Sequence, residues 1–313
     1  KRLKKTYIVR DDSYIRKKIA MKRLLVVGGN GFVGKAVCRR AVRKKIQVTS
    51  LSRSGRPMNE TGEWADKVEW KMGDANDPDV AREAVEECDA IVSTVGSMVD
   101  SSWPAGARQL YMNMKKNFQS GGGGGGIQAG LAGLANVLNS ASSTGSFDGS
   151  GDATDGEDTY ERLNRDVHLN VASVAARSES CSSFVYFSAV PPNVLNSKVP
   201  LVQRYFSTKM ETENALQQYD PNTLRCPILR PTVMYDDEHL HTLAPAALSK
   251  VSSLLDSMVF AQFGFRDVPH LLPSPPVFVD TVAECAIEAA FDNEIQGVLE
   301  LEDISRISNA STN

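Results

Sequence analysis

Short apolar runs rich in β-branched residues alternate with amphipathic stretches from Arg23 to Leu301. The pattern predicts strands at residues 24–27, 47–51, 68–71, 90–94, 184–187, 222–229, 277–278 and 298–301. It predicts helices near residues 31–44, 78–87, 160–178, 205–219 and 281–291. Apolar strands that alternate with helices are typical of a parallel sheet covered on both faces, because such strands are buried on both sides. We therefore predict an α/β fold built on a doubly wound parallel sheet.

A glycine-rich turn separates the first predicted strand from the first predicted helix, with glycines at Gly28, Gly31 and Gly34. The first glycine permits the tight turn, the second lets the backbone approach a pyrophosphate, and the third lets helix and strand pack closely. We expect Gly31 to have a positive φ. Phe32 and Val33 lie in the same turn, where the positive end of the helix favours phosphate. The turn predicts an NAD-type dinucleotide site in a Rossmann domain.

The second predicted strand is followed by basic residues where an acidic residue would bind the ribose 2′-hydroxyl of NAD. Here the chain reads Ser52-Arg53-Ser54-Gly55-Arg56. A guanidinium forms charge-assisted, bidentate bonds with a phosphate, so NADP(H) is favoured over NAD(H), with Arg53 as the contact. The alternative is that these arginines are ordinary loop charges.

Two further strand ends complete the predicted nucleotide site. Asp74 follows the third strand, where a carboxylate can accept a hydrogen bond from the adenine amino group. Thr94, Val95 and Gly96 end the fourth strand, where the backbone must lie close to the cofactor. These positions agree with the rule that open α/β sheets bind ligands at the carboxyl ends of their strands.

Four stretches of sequence together resemble the atypical, extended branch of the short-chain dehydrogenase/reductase superfamily. They are residues 27–35, 52–55, 230–236 and 297–304. The branch includes an accessory subunit of mitochondrial complex I, the ninth of its alpha subcomplex, a dehydrogenase-like protein of the fungal coenzyme Q synthesis complex, and plant relatives. The resemblance implies that Pro231 and Thr232 also contact the cofactor.

The resemblance also implies a set of catalytic residues. Tyr205 and Lys209 form a Tyr-x-x-x-Lys pair, Ser188 ends the fifth predicted strand, and Asn164 matches a helix asparagine. In the superfamily the tyrosine transfers a proton, the lysine lowers the tyrosine pKa and holds the nicotinamide ribose, and the serine binds the substrate oxygen. Spacing of i,i+4 places the first two side chains on one helix face. The alternative is a retained cofactor clamp, because the loop after Ser188 is longer than is usual in the superfamily.

Two segments fall outside the Rossmann pattern. Residues 1–22 form an arm rich in Lys and Arg, and the chain does not begin with Met, so we expect a processed form. Residues 97–158 form a low-complexity insertion that includes the glycine run from Gly121 to Gly126. We therefore predict a basic arm (1–22), an NAD(P)-binding domain (23–230) and a small C-terminal lobe (231–313) that completes the fold. The arm and the insertion either bind partners or remain solvated.

Composition narrows the function only slightly. The chain has 313 residues, a net charge of −3 and five cysteines scattered singly, so we expect neither a disulfide nor nucleic-acid binding. It has no apolar run long enough for a transmembrane helix, although peripheral membrane association stays open. Acidic residues and histidines at 236–241 lack metal-ligand spacing, and we expect no metal site. An apolar stripe at 248–259 is either core or a docking face.

The resemblance implies three functions. The first is an NADP(H)-binding accessory subunit of mitochondrial respiratory complex I, on the matrix side of the inner membrane, with other subunits of that membrane-associated complex as partners. The second is an NADP(H)-dependent oxidoreductase or isomerase linked to coenzyme Q synthesis, which uses Tyr205 and Lys209. The third is a plastid relative.

Overall fold

The structure is a computed structural model that describes residues 21–58, 60, 62–97, 159–189, 200–232, 234–236 and 277–312. Seven strands form one parallel sheet in the order β3-β2-β1-β4-β5-β6-β9. These strands are β1 (Arg23–Val27), β2 (Gln47–Ser52), β3 (Val68–Met72), β4 (Ala90–Ser93), β5 (Ser183–Phe187), β6 (Ile228–Leu229) and β9 (Val298–Leu299). A separate parallel pair joins β7 (Met234–Tyr235) to β8 (Val277–Phe278).

Helices cover both faces of the sheet. In the described residues they are α1 (Phe32–Arg43), α2 (Pro78–Glu86), α3 (Val167–Ala175), α4 (Pro200–Leu216), α5 (Val279–Phe291) and α6 (Leu301–Thr312). A 3-10 turn (Ala65–Lys67) precedes β3, and a π-helical turn (Arg162–Asp166) precedes α3. The predicted Rossmann-type doubly wound sheet is confirmed.

The core has two layers because side chains alternate between the faces of each strand. In β1, Leu24 and Val26 pack on the face that α1 and α5 cover. Leu25 and Val27 pack on the opposite face, against α2 and α3. Since both faces are covered, β1 is an apolar run rather than an alternating one.

Several predicted element boundaries were wrong. The strand predicted at 222–229 is regular only at Ile228–Leu229, and Arg225 forms an isolated bridge. Pro227 lies between them and interrupts the pairing because it has no N–H to donate. The strand predicted at 298–301 ends at Leu299, because α6 begins at Leu301. The helix predicted at 205–219 begins earlier, at Pro200. Helix α6 was not predicted.

Residues from the predicted C-terminal lobe pack against the Rossmann layers. Strand β9 pairs with β6, and α5 packs on α1. Lys44, which caps α1, lies 2.5 Å from a carboxylate oxygen of the buried Glu284 and 2.7 Å from one of Glu288. Helices α1 and α5 therefore cover the sheet together. The domain boundary at residue 230 stays a prediction.

The basic arm at 1–20, most of the insertion (98–158) and the segment 237–276 lie outside the described residues, and so do the predictions made for them. Within the described part, none of the helices is long and apolar enough to cross a membrane.

Candidate functional site

The glycine turn between β1 and α1 has the close packing that a dinucleotide cradle needs. Gly28 has φ +86°, and a Cβ there would lie 3.0 Å from Thr94 Oγ1. A Cβ at Gly34 would overlap the Gly28 carbonyl oxygen and lie 2.6 Å from the Gly29 Cα. Only glycine avoids these clashes without moving backbone, so Gly28 and Gly34 shape the turn.

Gly31 does not have the predicted backbone conformation. Its φ is −76° and its ψ is 171°, so the expectation of a positive φ was wrong. Gly31 is the N-cap of α1, it is exposed, and it has no side chain to cover the first-turn N–H groups of Phe32 and Val33. That turn also has no acidic residue. Its positive end is therefore open to a phosphate group.

Gly31→Val is expected to weaken nucleotide binding about 10–100-fold, which corresponds to 1.4–2.8 kcal/mol. The added side chain would cover the helix start, while the extended backbone at Gly31 accepts a β-branched residue. Isothermal titration with NADPH measures the effect, and circular dichroism checks the fold. Unchanged affinity in a folded variant would place the pyrophosphate elsewhere. Gly34→Val is the contrasting variant, which should lose the fold itself.

The loop after β2 is tied to the glycine turn. The side-chain amide of Asn30 donates to Ser54 Oγ at 2.7 Å. Both arginines of this loop are exposed, and Arg56 forms a 2.5 Å ion pair with Asp66. Arg53 lies next to Ser54, the residue bonded to the glycine turn, and stays the predicted contact for a 2′-phosphate.

Asp74, predicted to contact adenine, is engaged by two neighbours. It accepts from the Asn76 backbone N–H at 2.9 Å and from Arg162 at 2.5 Å. Burial raises the pKa of Asp74, but these bonds outweigh it and the pKa falls below its usual value. The carboxylate thus fixes the loop after β3 to the π-helical turn that contains Arg162. If Asp74 also accepted a hydrogen bond from adenine, its carboxylate would bind both adenine and Arg162.

The residues after β4 lie against the glycine turn and the π-helical turn. Thr94 Oγ1 donates to the Val27 carbonyl at 3.0 Å, and Val95 lies beside Gly28. A Cβ at Gly96 would lie 3.1 Å from Asn164 Oδ1 and 3.3 Å from Lys209 Nζ. The predicted residues of β4 therefore meet two of the predicted catalytic residues.

Asn164 is held by hydrogen bonds of its side chain and its backbone. Its side chain exchanges two hydrogen bonds with the backbone of Ser97, at 3.1 and 2.9 Å. Its carbonyl accepts from the Tyr186 hydroxyl at 3.1 Å and from Thr212 Oγ1 at 2.9 Å. The π-helical turn that contains Asn164 is thus fixed to β5 and α4, which agrees with the frequent occurrence of π-bulges at functional sites.

Lys209 is a buried cation at the centre of the candidate site. Its side chain comes from α4, its residue is 4% exposed, and its ammonium donates to the Phe187 carbonyl at 2.9 Å. Burial lowers the pKa of Lys209 to about 7, although Glu213 opposes the fall. Glu213 is itself paired with Arg230 at 2.5 Å. Since burial of a charge without a close counter-ion is costly, Lys209 is more typical of a functional group than of a packing residue.

Ser188 and Tyr205 complete the predicted catalytic set. Ser188 follows Phe187, and its buried Oγ has no hydrogen-bond partner among the described residues. Tyr205 lies one turn before Lys209 on α4, and its half-buried ring packs edge-on against Tyr160 at 6.1 Å. The structure therefore gathers Lys209, Asn164 and Gly96 and places Ser188 beside the Lys209 acceptor, with Tyr205 on the same helix.

The remaining predicted contacts, Pro231 and Thr232, follow β6 at the same edge of the sheet. Pro231 is buried and Thr232 is half-buried. Their position agrees with a site that extends from β1 to β6 along the carboxyl ends of the strands.

His168 belongs to this region, although no sequence pattern indicated a role for it. The side chain is fully buried, and its Nδ1 lies 2.8 Å from Ser93 Oγ at the end of β4. Its ring packs edge-on against Tyr186, and Nε2 has no hydrogen-bond partner among the described residues. Burial, with a contribution from the Lys209 charge, lowers the pKa of His168 well below its usual value. A neutral imidazole thus supports the end of β4 at Ser93.

These residues fit a nicotinamide dinucleotide. The sheet order reverses between β1 and β4, where open α/β sheets bind such cofactors. The glycine turn packs so closely on α1 that a side chain at Gly34 would collide with the backbone of Gly28 and Gly29, and the buried Ser188 hydroxyl is unpaired among the described residues. A phosphate at the α1 start and hydroxyl groups near Lys209 would satisfy both ends of the site.

Comparison with known proteins agrees with this interpretation. A family model described as NAD(P)H-binding matches residues 28–118. An uncharacterized chloroplastic protein of Arabidopsis thaliana is 26% identical over 91% of this chain and 77% of its own length. MIOREX complex component 2 of Saccharomyces cerevisiae is 25% identical over 90% of this chain and 98% of its own.

The fold is shared with solved enzyme structures. The Bordetella bronchiseptica enzyme WbmF, in complex with NAD+ and UDP, superimposes with a TM-score of 0.50 at 13% identity, over 94% of this chain and 78% of that one. Such a likeness shows the fold alone. Together with the family model, it defines the class: the chain contains an NAD(P)-binding Rossmann domain. Two of its sequence relatives are named as a chloroplastic protein and as a component of a yeast complex.

Proposed function

We propose that this chain is an NADP(H)-binding accessory subunit of a mitochondrial respiratory assembly, in which a retained nucleotide stabilises the fold. The observation that carries the nucleotide site is the buried Lys209 ammonium beside Asn164 and Gly96, at the same sheet edge as the glycine turn. The phosphates would be held by the N–H groups at the start of α1, and Lys209 would donate to the nicotinamide ribose.

The accessory role is supported by the yeast relative, which is named as a component of a complex. Complex I, on the matrix side of the inner membrane, is the assembly that the family resemblance favours. A plastid location remains the alternative, because the plant relative is named as chloroplastic.

A second candidate is an NADP(H)-dependent oxidoreductase or isomerase linked to coenzyme Q synthesis. The observation that favours it is the Ser188 hydroxyl, which has no hydrogen-bond partner in the described part of the chain and lies next to the Lys209 acceptor, with Tyr205 one turn away on α4. The bound nicotinamide would supply hydride transfer. Ser188 would orient a carbonyl oxygen, and Tyr205 would hold the transferable proton.

Native mass determination of the protein purified from its source distinguishes these functions. Recovery in a large assembly with subunits of complex I supports the accessory role. A free monomer or dimer that reduces a carbonyl substrate supports the enzyme, and a large assembly without complex I subunits contradicts the specific assignment.

Arg53→Asp is expected to shift the preference from NADP(H) toward NAD(H). The change removes the guanidinium beside Ser54 and provides a carboxylate that can bind a ribose 2′-hydroxyl. A charge-assisted bond to phosphate contributes about 1.5–3 kcal/mol, so NADPH affinity should fall about 10–100-fold. Titration with both nucleotides measures the shift, and Arg56→Ala is the matched control because Arg56 pairs with Asp66. Equal NADPH affinity in Arg53→Asp, or recovery of bound NAD alone from the native protein, would contradict the NADP(H) assignment.

A further inference from the structure

Two thiols meet at the edge of the sheet opposite to the nucleotide site. Ala90 of β4 is the register partner of Ser183 of β5, and Cys88 and Cys181 each lie two residues earlier. The ladder continues toward them, because the Ser182 N–H donates to the Asp89 carbonyl at 3.0 Å. Neighbouring strands are about 4.8 Å apart, and disulfides span Cα separations of about 4.4–6.8 Å. The two cysteines are therefore spaced for a disulfide.

The side chains of these cysteines also point to the same face. Cys88 and Cys181 belong to the same core layer, beneath α2 and α3, and they are 2% and 3% exposed. The Cys88 thiol donates to the Val85 carbonyl at 3.2 Å, and the Cys181 thiol donates to the Ser183 carbonyl at 3.7 Å. Cys38 and Cys285 lie in the other core layer, across the sheet. Cys226 packs against the same layer as the pair, but it follows Arg225, which bridges to Ser183, and so lies beyond Cys181 along β5.

A surface cleft of about 480 Å³ between α2 and the end of α3 leads toward the pair. Its lining includes Val85, whose carbonyl accepts from the Cys88 thiol at 3.2 Å, and Ser180, which precedes Cys181. The cleft lining thus includes the residue before Cys181 and the residue whose carbonyl contacts the Cys88 thiol. A small oxidant needs only a local opening of this layer to reach the thiols.

We propose that Cys88 and Cys181 form a reversible disulfide in response to hydrogen peroxide, as a modification site distinct from the nucleotide site. The Cys181 thiolate attacks one peroxide oxygen, the O–O bond breaks, and the departing hydroxide takes up the proton that the Cys181 thiol released and leaves as water. The Cys88 sulfur then attacks the resulting Cys181 sulfenic acid, the S–O bond breaks, and the Cys88 proton leaves with the hydroxyl as a second water. Two thiols are oxidised, and one peroxide is reduced to two waters.

Cys181 is the attacking residue because it directly follows Ser180, which lines the cleft. The neighbouring Cys88 thiol also lowers the pKa of Cys181, against the effect of burial, whereas the Cys181 thiol and burial raise the pKa of Cys88. A lower pKa increases the thiolate fraction, which is the species that reacts with peroxide.

Thiol counting after oxidation tests the proposal. The full chain is treated with graded hydrogen peroxide, denatured, alkylated with iodoacetamide without reduction and analysed by intact mass and peptide mapping. We expect the alkylated cysteines to fall from five to three, with a cross-linked peptide that contains Cys88 and Cys181 and disappears on treatment with dithiothreitol. The oxidised form should melt at a higher temperature, because the cross-link restricts the unfolded chain.

Cysteine variants provide the controls. Cys226→Ser should still lose two alkylatable thiols, whereas Cys88→Ser should lose none to an internal cross-link and should leave Cys181 as a sulfenic acid that dimedone traps. Five alkylated cysteines in the wild type after peroxide, a cross-link that includes Cys226, or dimedone labelling at a residue other than Cys181 would each overturn the proposal.

Discussion

Lys209→Met is expected to stabilise the nucleotide-free protein at pH 7 by about 2–4 kcal/mol. The fall of the Lys209 pKa from 10.5 to about 7 means that the buried amine opposes folding by about 5 kcal/mol at pH 7 and below. Methionine has a similar shape and no charge, and its cost is the lost bond to the Phe187 carbonyl, about 1 kcal/mol. Denaturant unfolding of both proteins measures the difference.

The effect of Lys209→Met should depend on pH in one direction. Between pH 7 and 10.5 the unfolded chain keeps the Lys209 proton while the folded chain releases it, so wild-type stability rises with pH. Below pH 7 both states are protonated and the cost is constant. The advantage of the methionine variant should therefore be largest at pH 6–7 and fall as the pH approaches 10.

The same variant should bind nucleotide less tightly. Loss of a hydrogen bond from a charged donor costs about 1.5–3 kcal/mol, or about 10–100-fold in affinity. Lys71→Met is the matched control, because Lys71 pairs with Glu87 near the surface. This variant should change stability by no more than about 1 kcal/mol and should leave nucleotide binding unchanged. A Lys209→Met protein that is less stable at pH 7, or that binds NADPH as the wild type does, would show that Lys209 is a structural residue.

The part of the site that sequence alone predicted is the part that depends on local geometry. The glycine turn could be predicted because Gly28 and Gly34 lie next to the strand and the helix that they join. Tyr205 and Lys209 could be paired because i,i+4 spacing is a property of any helix. The predicted conformation of Gly31 was wrong, because a spacing pattern does not determine the φ angle of a residue.

The parts that sequence did not predict depend on contacts between distant residues. His168 bonds to Ser93, 75 residues away, and only the fold brings these two residues together at the end of β4. The depressed pKa of Lys209 results from burial, which no spacing pattern reports. Helix α6 packs on α5 and buries Ile304 and Ser308. It was not predicted, because the alternation of strands and helices gives no indication of a further helix after β9.

Tyr205→Phe is expected to leave nucleotide binding nearly unchanged and to separate the two proposed functions. The ring would keep its packing against Tyr160 and Phe206 and lose only the hydroxyl. As a clamp, the hydroxyl contributes at most one hydrogen bond to the ribose, about 0.5–1.5 kcal/mol. As a general acid or base it is the proton donor itself, and turnover should fall about 10²–10⁴-fold.

We expect the accessory role to hold, so that respiratory function and assembly survive Tyr205→Phe. Lys209→Ala provides the contrast, because loss of the ammonium next to Gly96 should empty the site and weaken assembly. Complementation of a null strain, with nucleotide content measured in the purified assembly, compares the two variants. An enzyme needs the Tyr205 hydroxyl for proton transfer, whereas a nucleotide clamp does not. A Tyr205→Phe protein that assembles with its nucleotide bound and still fails to complement would therefore identify this chain as the enzyme.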